Sequence, residues 1–181
     1  MLFSAPTVDK PSSWFSWHTS VVHSGARILD LASGSGRHAI AAAELGAHVT
    51  AVDVDAGRLQ SGRRAAEHRH LSVEWVQADL EHYQVPERAF DLVLIFNYLD
   101  RRRMSQFAQA VRPGGYLMME TFLERQRQLG WGPTSSDHLL KPGELPTLLA
   151  PLEVILAREA LDFFDGRPMA VASALAQRLG E

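Results

Sequence analysis

The sequence predicts an α/β fold: a doubly wound sheet, mostly parallel, in a single domain that ends in an antiparallel C-terminal hairpin strand. Three observations predict it. Residues 28 to 39 read ILDLASGSGRHA, an apolar run that breaks at a glycine turn and resumes as a helical pattern. A second apolar run, VTAVDVD at 49 to 55, carries an acid at its end, Asp53. Short apolar runs then alternate with helical patterns, the arrangement of parallel strands joined by crossover helices.

Strand 1 is expected at Arg27 to Leu31. The helix after it, Arg37 to Leu45, is alanine-rich and stops at Gly46, a residue suited to the position just past a helix end. Strand 2 spans His48 to Asp53, a helix runs through Asp55 to His68, and strand 3 lies near Ser72 to Gln77, ending at Asp79. FDLVLIF, Phe90 to Phe96, is apolar throughout and suits a strand buried on both faces in the middle of a sheet. A helix around Arg102 to Val111 leads into RPGG, where Pro113, Gly114 and Gly115 predict a turn, and then into strand 5 at Tyr116 to Phe122. Residues 123 to 141 have no clean period, and so long a connection in a compact domain is functional or disordered. A short helix near Glu144 to Leu149 precedes two strand-like runs, Leu152 to Phe164 and Pro168 to Gln177, joined as a hairpin through Asp165, Gly166 and Arg167.

At 181 residues and 46% apolar content, the chain suits one compact domain with one core. The expected division is an N-terminal segment at 1–25, a candidate lid, ahead of the domain at 26–181. A formal charge of -3 gives no overall attraction to nucleic acid or to an anionic membrane, so neither is expected as a partner. The absence of cysteine excludes disulfides, thiolate catalysis and cysteine zinc sites, and the eight histidines show no HxxxH or HExxH spacing, so no metal is expected. The opening MLFSAPTVDKPSSWFSWHTS lacks the basic and apolar regions of a signal peptide, and no run reaches membrane-spanning length. A cytoplasmic monomer or homodimer is the expectation.

The glycine turn carries the chemistry. Gly34 and Gly36 can take the positive φ of a tight strand-to-helix turn and let a ligand approach the main chain. Asp53, at the carboxyl end of the next strand, offers two oxygens to the hydroxyls of a ribose, which points to an adenosine-containing cofactor. GSGRHA also fits the dinucleotide fingerprint, so an NAD(P)-dependent oxidoreductase is an alternative. Asp30 weighs against it, since a carboxylate four residues before Gly34 repels a pyrophosphate and attracts an ammonium such as that of S-adenosylmethionine. Plainer roles also exist: Asp53 as a cap of the next helix, Asp79 as a loop acid.

ILDLASGSG, the acid of VTAVDVD, ADLE at 78 to 81, FDLVLIFNYLDR at 90 to 101 and RPGGYLMMETF at 112 to 122 together resemble the ordered motifs of class I S-adenosylmethionine-dependent methyltransferases. The resemblance covers nearly all of residues 26 to 122. Within that class, GSGRHA, NYL, ETF and LLKPGEL resemble the small bacterial tellurite-resistance-type methyltransferases, while Ser33 departs from the glycine or cysteine common at its place. The resemblance implies a Rossmann-like sheet, S-adenosylmethionine as cofactor, and in-line methyl transfer to a small-molecule acceptor such as a chalcogen oxyanion or another small metabolite. Residue by residue, it implies that Ala32, Gly34 and Gly36 line the methionine part and that Asp30 orients its ammonium. Asp53 would hold the ribose, Val54 would pack on the adenine, and Asp79 with the Leu80 backbone would read the adenine amino edge. Arg37 is either a donor to the methionine carboxylate or a solvated first-turn residue, and Phe96 either borders the cofactor or belongs to the core.

Near the reacting methyl, Asn97 and Tyr98 follow strand 4, and Glu120 and Thr121 end strand 5. Asn97-Tyr98 lacks both prolines of the Asn-Pro-Pro-Tyr box of amino methyltransferases that flip a base, and a nucleic-acid methyltransferase is a further alternative. Candidates for a base, or for contact with the acceptor, are His18, Asn97, Tyr98, Asp100, Glu120 and His138. Trp14, Phe15, Trp17 and His18 form either a lid over the cofactor or a helix packed on the core. Trp131, Asp137 and His138 form either a second lid or a surface loop. Arg58, Arg63, Arg64, His68, Arg69 and His70, like Arg101 to Arg103, read as solvated faces.

Overall fold

The structure, a computed structural model, describes residues 10–180. The fold is α/β with seven strands, mostly parallel, and antiparallel strands at the C-terminal end. It comprises two compact units that divide between Gln84 and Val85.

The first unit opens with α1 (Ser13–Trp17). Ser12 caps it by accepting from the Phe15 N–H, and its own N–H donates to His38 Nε2 at 3.1 Å inside the protein. Trp14 and Phe15 are buried and the His18 ring lies 4.1 Å from that of Trp14, whereas Trp17 is 62% exposed. Trp14 and Phe15 thus pack this helix into the core, and residues 1–9 of the candidate lid lie outside the described residues.

Strands β1 (Arg27–Leu31), β2 (His48–Asp53) and β3 (Val73–Gln77) pair in parallel, β1 with β2 and β2 with β3. Leu31 lies beside Val52 and Asp53 beside Gln77, so the turns after β1 and β2 leave the strands at one level. Helix α2 (Arg37–Glu44) ends before Gly46, which takes φ 86°, and its alanines allow a close approach to the sheet. Helix α3 (Ala56–His68) is capped by Asp55, whose carboxylate accepts the Arg58 N–H at 3.0 Å. Ile40, Ala65 and Ala66 form a small core with Leu71, Val73 and Trp75. The basic side of α3 is exposed, as expected, with Arg69 paired to Glu44 at 2.7 Å.

In the second unit β4 (Phe90–Phe96) and β5 (Val111–Phe122) are parallel, β7 (Arg167–Gln177) runs antiparallel to β5, and β6 (Glu153–Phe164) runs antiparallel to β7. Every residue of β4 is buried, which its unbroken apolar run requires. Helix α4 (Met104–Gln109) is shorter than predicted because β5 begins at Val111. RPGG is therefore no turn: Val111 pairs with Phe90, the register then shifts, and Gly114 takes φ 78°. A Cβ on Gly115 would lie 2.8 Å from the Asp91 carbonyl oxygen, so glycine lets the two strands stay close through the irregularity. The β6–β7 hairpin turns through Asp165 and Gly166, φ 48° and 74°, the paired positive angles that a two-residue turn needs.

Residues 123 to 141, expected to be a mobile or functional connection, are instead packed down in this unit. They form 3₁₀ turns at Glu124–Leu129 and Ser136–His138 and a short bridge between Leu123 and Leu140. Gln126 is fully buried; its Oε1 accepts the Ala170 N–H at 2.8 Å and its Nε2 donates to the Trp131 carbonyl at 2.9 Å. Trp131 donates to the Pro168 carbonyl and meets Phe122 edge-on. Helix α5 (Leu145–Leu148) follows. No helix of the described residues is long and apolar enough to cross a membrane.

Gln126→Leu keeps the volume but strands the buried Ala170 N–H and the part-buried Trp131 carbonyl. It is expected to lower unfolding stability in urea by about 3 kcal/mol, at ~1–3 kcal/mol per orphaned group. A loss under about 1 kcal/mol would show that Gln126 does not pin the segment.

Candidate cofactor site

Between β1 and α2 the backbone enters the left-handed region three times, at Ala32 (φ 54°), Gly34 (58°) and Gly36 (74°). Glycine takes these angles freely, whereas Ala32 is held there at a cost of about 1 kcal/mol or more. The turn is fixed from β2. Gly34 N–H donates to Asp53 Oδ2 at 2.7 Å, and Asp53 Oδ1 accepts the Asp55 N–H at 2.9 Å. Asp53 is therefore not the cap of α3; Asp55 is. Each Asp53 oxygen has a second lone pair for a further donor.

Asp30 lies in β1 below the turn with 1% exposure, and its Oδ2 accepts the Ala39 N–H at 3.1 Å. Burial pushes its carboxyl up to about 7, against the pull of the Ala39 N–H and the Arg37 charge, and Asp53 adds a smaller upward push. Arg37 is half-buried and donates from Nη1 to the Lys10 carbonyl at 3.5 Å. His38 is buried, with its imidazole held well below the usual range, first by burial and then by the Arg37 charge. That keeps Nε2 an acceptor for the Ser12 N–H.

Two partners of the turn were not legible as site residues. A Cβ on Gly36 would collide with the Trp75 ring, and one on Gly62 would lie 2.5 Å from both the Ser35 carbonyl oxygen and that ring. Gly62, an otherwise costly glycine in the interior of α3, was the available signal of this close approach. A Cβ on Gly34 would lie 2.7 Å from the Arg58 guanidinium.

Val54, 63% exposed, follows Asp53 and presents an apolar side chain at the strand end. After β3, Asp79 is exposed, its Oδ1 accepting the Glu81 N–H at 2.9 Å, and Leu80 is buried. Asp79, Glu81 and His82 bring ligand atoms within 4.8 Å of one another on this exposed turn. In the first unit, then, the structure groups Asp30, Ala32, Gly34, Gly36, Arg37, Asp53 and Val54 at the ends of β1 and β2, with Asp79 and Leu80 after β3.

In the second unit, Phe96 is buried at the end of β4. Asn97 is exposed with φ 57°, and its N–H donates to the Glu120 carbonyl at 2.9 Å. Tyr98 is half-buried, tilted against Phe107. Asp100 accepts the Arg102 N–H at 3.1 Å. Glu120 and Thr121 are both buried, where the sequence left their facing open. Glu120 Oε2 accepts from Ser173 Oγ at 2.7 Å and lies 3.5 Å from Arg158, which binds Asp162 at 2.8 Å. The strand register sets Glu120, Ser173 and Arg158 in one row. His138 is exposed on its 3₁₀ turn.

The reading of Arg101 as part of a solvated basic face is overturned. Its guanidinium binds Glu144 through two bonds of 2.5 and 2.9 Å and donates to the Leu139 carbonyl at 2.8 Å. The Glu144 hydrogen bond raises the Arg101 pKa, and Arg101 lowers that of Glu144. Arg101 thus ties down residues 136–139. Trp131, bonded to Pro168, is likewise a packing residue, not part of an open lid.

Residues 28–115 match the model of the methyltransferase domain family. The chain carries a class I S-adenosylmethionine-dependent methyltransferase domain. S-adenosylmethionine is the cofactor of this family. A ribosomal protein L11 methyltransferase of Ralstonia pickettii is 36% identical over 129 residues, 69% of this chain and 41% of that protein. A demethylmenaquinone methyltransferase of Clavibacter sepedonicus is 37% identical over 105 residues, 54% of this chain and 42% of that protein. The chain thus spans 41% and 42% of the length of these curated relatives. TehB of Haemophilus influenzae has the same fold, with a TM-score of 0.78 over 93% of this chain and 62% of that one, at 17% identity. The cradle fits the cofactor: left-handed glycines admit a ligand to the main chain, and a buried acid and a strand-end acid flank them.

Gly36→Val forces a β-branched residue into the left-handed region and against Trp75, and is expected to cost about 3 kcal/mol or more in urea unfolding. His38 supplies a pH test. Its folded pKa lies below its unfolded value of 6.5, so the unfolded chain binds the proton first and stability is lost as pH falls through 6.5. His38→Gln keeps an acceptor for Ser12 without that proton, so the difference between urea midpoints at neutral pH and on the acid side of 6.5 is expected to shrink relative to wild type. An unchanged difference would contradict a buried neutral His38.

Proposed function

We propose that the chain transfers a methyl group from S-adenosylmethionine to a small-molecule acceptor by direct in-line displacement. The observation that carries the reading is the 2.7 Å bond from Gly34 N–H to Asp53 across a turn of left-handed residues, with Asp30 buried beneath it. When bound, the sulfonium supplies a methyl group already activated for attack.

The residues bind and orient. Asp53 holds the turn through the Gly34 N–H, is itself oriented by the Asp55 N–H, and offers its remaining lone pairs to a pair of vicinal hydroxyls. Asp30, once ionised, gives the ammonium end a charge partner. Val54 gives a purine an apolar face, Asp79 and the Leu80 backbone read its amino edge, and Arg37 donates to a carboxylate. Holding the acceptor in line contributes on the order of 7 kcal/mol or more of the barrier, so a strong base is not required. Asn97, strained at the end of β4, and Tyr98 are assigned to contact with the acceptor. Glu120, held by Ser173 and Arg158, acts as an anionic anchor and not as a mobile base. Asp30, buried beneath the turn, speaks against a pyrophosphate, and therefore against the NAD(P) alternative.

Similarity to a demethylmenaquinone methyltransferase supports a small acceptor, and similarity to a ribosomal protein L11 methyltransferase supports a second reading, a protein acceptor. Release of S-adenosylhomocysteine with a panel of small phenols, quinols and chalcogen oxyanions, run beside ribosomal protein, separates the two. Turnover with ribosomal protein alone would overturn the small-acceptor reading.

Asp53→Ala is expected to weaken S-adenosylhomocysteine binding by about 1–3 kcal/mol in calorimetry. Unchanged affinity would remove the ribose assignment. Asp30 gives up its proton as pH rises through about 7, so wild-type affinity is expected to increase about tenfold with rising pH across that range, on the scale of one decade per pKa unit. Asp30→Asn is expected to be weak throughout and flat with pH. An equal slope in both proteins would show that Asp30 does not face the ammonium.

A further inference from the structure

Strand β6 is an outer strand: it pairs with β7 and with no other strand among the described residues. Its twelve residues, EVILAREALDFF, contain no proline or lysine, two of the means of blunting an edge, and its one register shift, between Val154 and Leu156, leaves 157–164 regularly paired. The register shows which backbone groups it leaves outside. Leu123 N–H donates to the Ala170 carbonyl, so on β7 Ala170, Ala172 and Ala174 turn their backbone groups to β5, and Val171 and Ser173 turn theirs to β6. Their partners Ala160 and Arg158 are consequently satisfied by β7. Ala157, Glu159, Leu161 and Phe163 point their N–H and carbonyl groups outward, the Phe163 N–H being taken by Asp162 Oδ1 at 2.9 Å, and the same four residues have exposed side chains, Leu161 by 49% and Phe163 by 64%.

The geometry points to a second copy of this chain as the occupant: β6 pairs with β6 of that copy, antiparallel, about a two-fold axis through Ala160. A two-fold axis normal to the sheet pairs residues of one face, so it must pass through a residue. An axis through Arg158 or Glu159 sets like charges opposite each other. An axis through Leu161 sets Arg158 against Phe164. Only the axis through Ala160, of these four, sets Arg158 opposite Asp162 of the second copy, and the reverse. In that register Phe163 faces Ala157, Phe164 faces Leu156, the aliphatic part of Glu159 faces Leu161, and the two Leu161 side chains meet diagonally. Arg158 and Asp162, already paired at 2.8 Å within one chain, then become half of a four-charge network.

The test is the mass of the full chain in solution by size-exclusion chromatography with light scattering, at tens of micromolar. Wild type is expected at twice the 20.1 kDa chain mass. Leu161→Glu sets carboxylates against Glu159 of the other copy and is expected to run as a folded monomer, with unchanged circular dichroism. Adding Glu159→Lys to Leu161→Glu restores opposite charges and the dimer. Amide exchange on wild type is an independent readout: the N–H groups of Ala157, Glu159 and Leu161 are expected to be protected in the dimer and to lose protection on dilution. A monomeric wild type, a dimer indifferent to Leu161→Glu, a double variant that stays monomeric, or fast exchange at those three amides would each overturn the pairing.

Discussion

A single short hydrogen bond, Gly34 N–H to Asp53 Oδ2 at 2.7 Å, makes the glycine turn a defined surface and not a loose connection. The turn passes through left-handed backbone three times, one of them at alanine, and such angles persist only where surrounding contacts over-determine them. Asp53 supplies that constraint from β2, the Ala39–Asp30 bond supplies it from below, and the Trp75 ring packs against Gly36. The same atoms that hold the turn form the proposed pocket. Two backbone N–H groups orient the Asp53 carboxylate, and under the proposed function its other lone pairs take the ligand.

The buried titratable pair in the first unit follows from that arrangement. Asp30 and His38 both sit in a desolvated setting beside Arg37, and burial drives each toward its neutral form. For His38 the neutral form is the useful one, because it accepts from Ser12 and docks α1. Under the proposed function the useful form of Asp30 is the charged one, which the Ala39 N–H and the Arg37 charge favour against burial and which a bound ammonium would favour further.

Much of this could be read from residue order. The glycine turn, the Asp53 strand end, the β4 run and the Asp165-Gly166 hairpin all rest on local rules, namely left-handed backbone, strand alternation and turn chemistry, and they were legible. RPGG misled because Gly114 and Gly115 serve an irregular parallel pairing with β4 that no local pattern records. The segment 123–141 lacks periodicity because its order comes from distant partners: Gln126 from Ala170, Trp131 from Pro168, and residues 136–139 from Arg101. Arg101 looked like a solvated arginine for the same reason, its Glu144 partner being 43 residues away in the chain. The row of Glu120, Ser173 and Arg158 exists only through strand pairing and leaves no mark in spacing.

The claim that the Gly34–Asp53 turn is the cofactor cradle is tested most directly by amide nuclear magnetic resonance on addition of S-adenosylhomocysteine. The account predicts that the Gly34, Gly36 and Asp55 amide signals shift strongly and saturably, while those of the β6–β7 hairpin hold still. Saturable binding that leaves the Gly34 and Asp55 amides unmoved would contradict it.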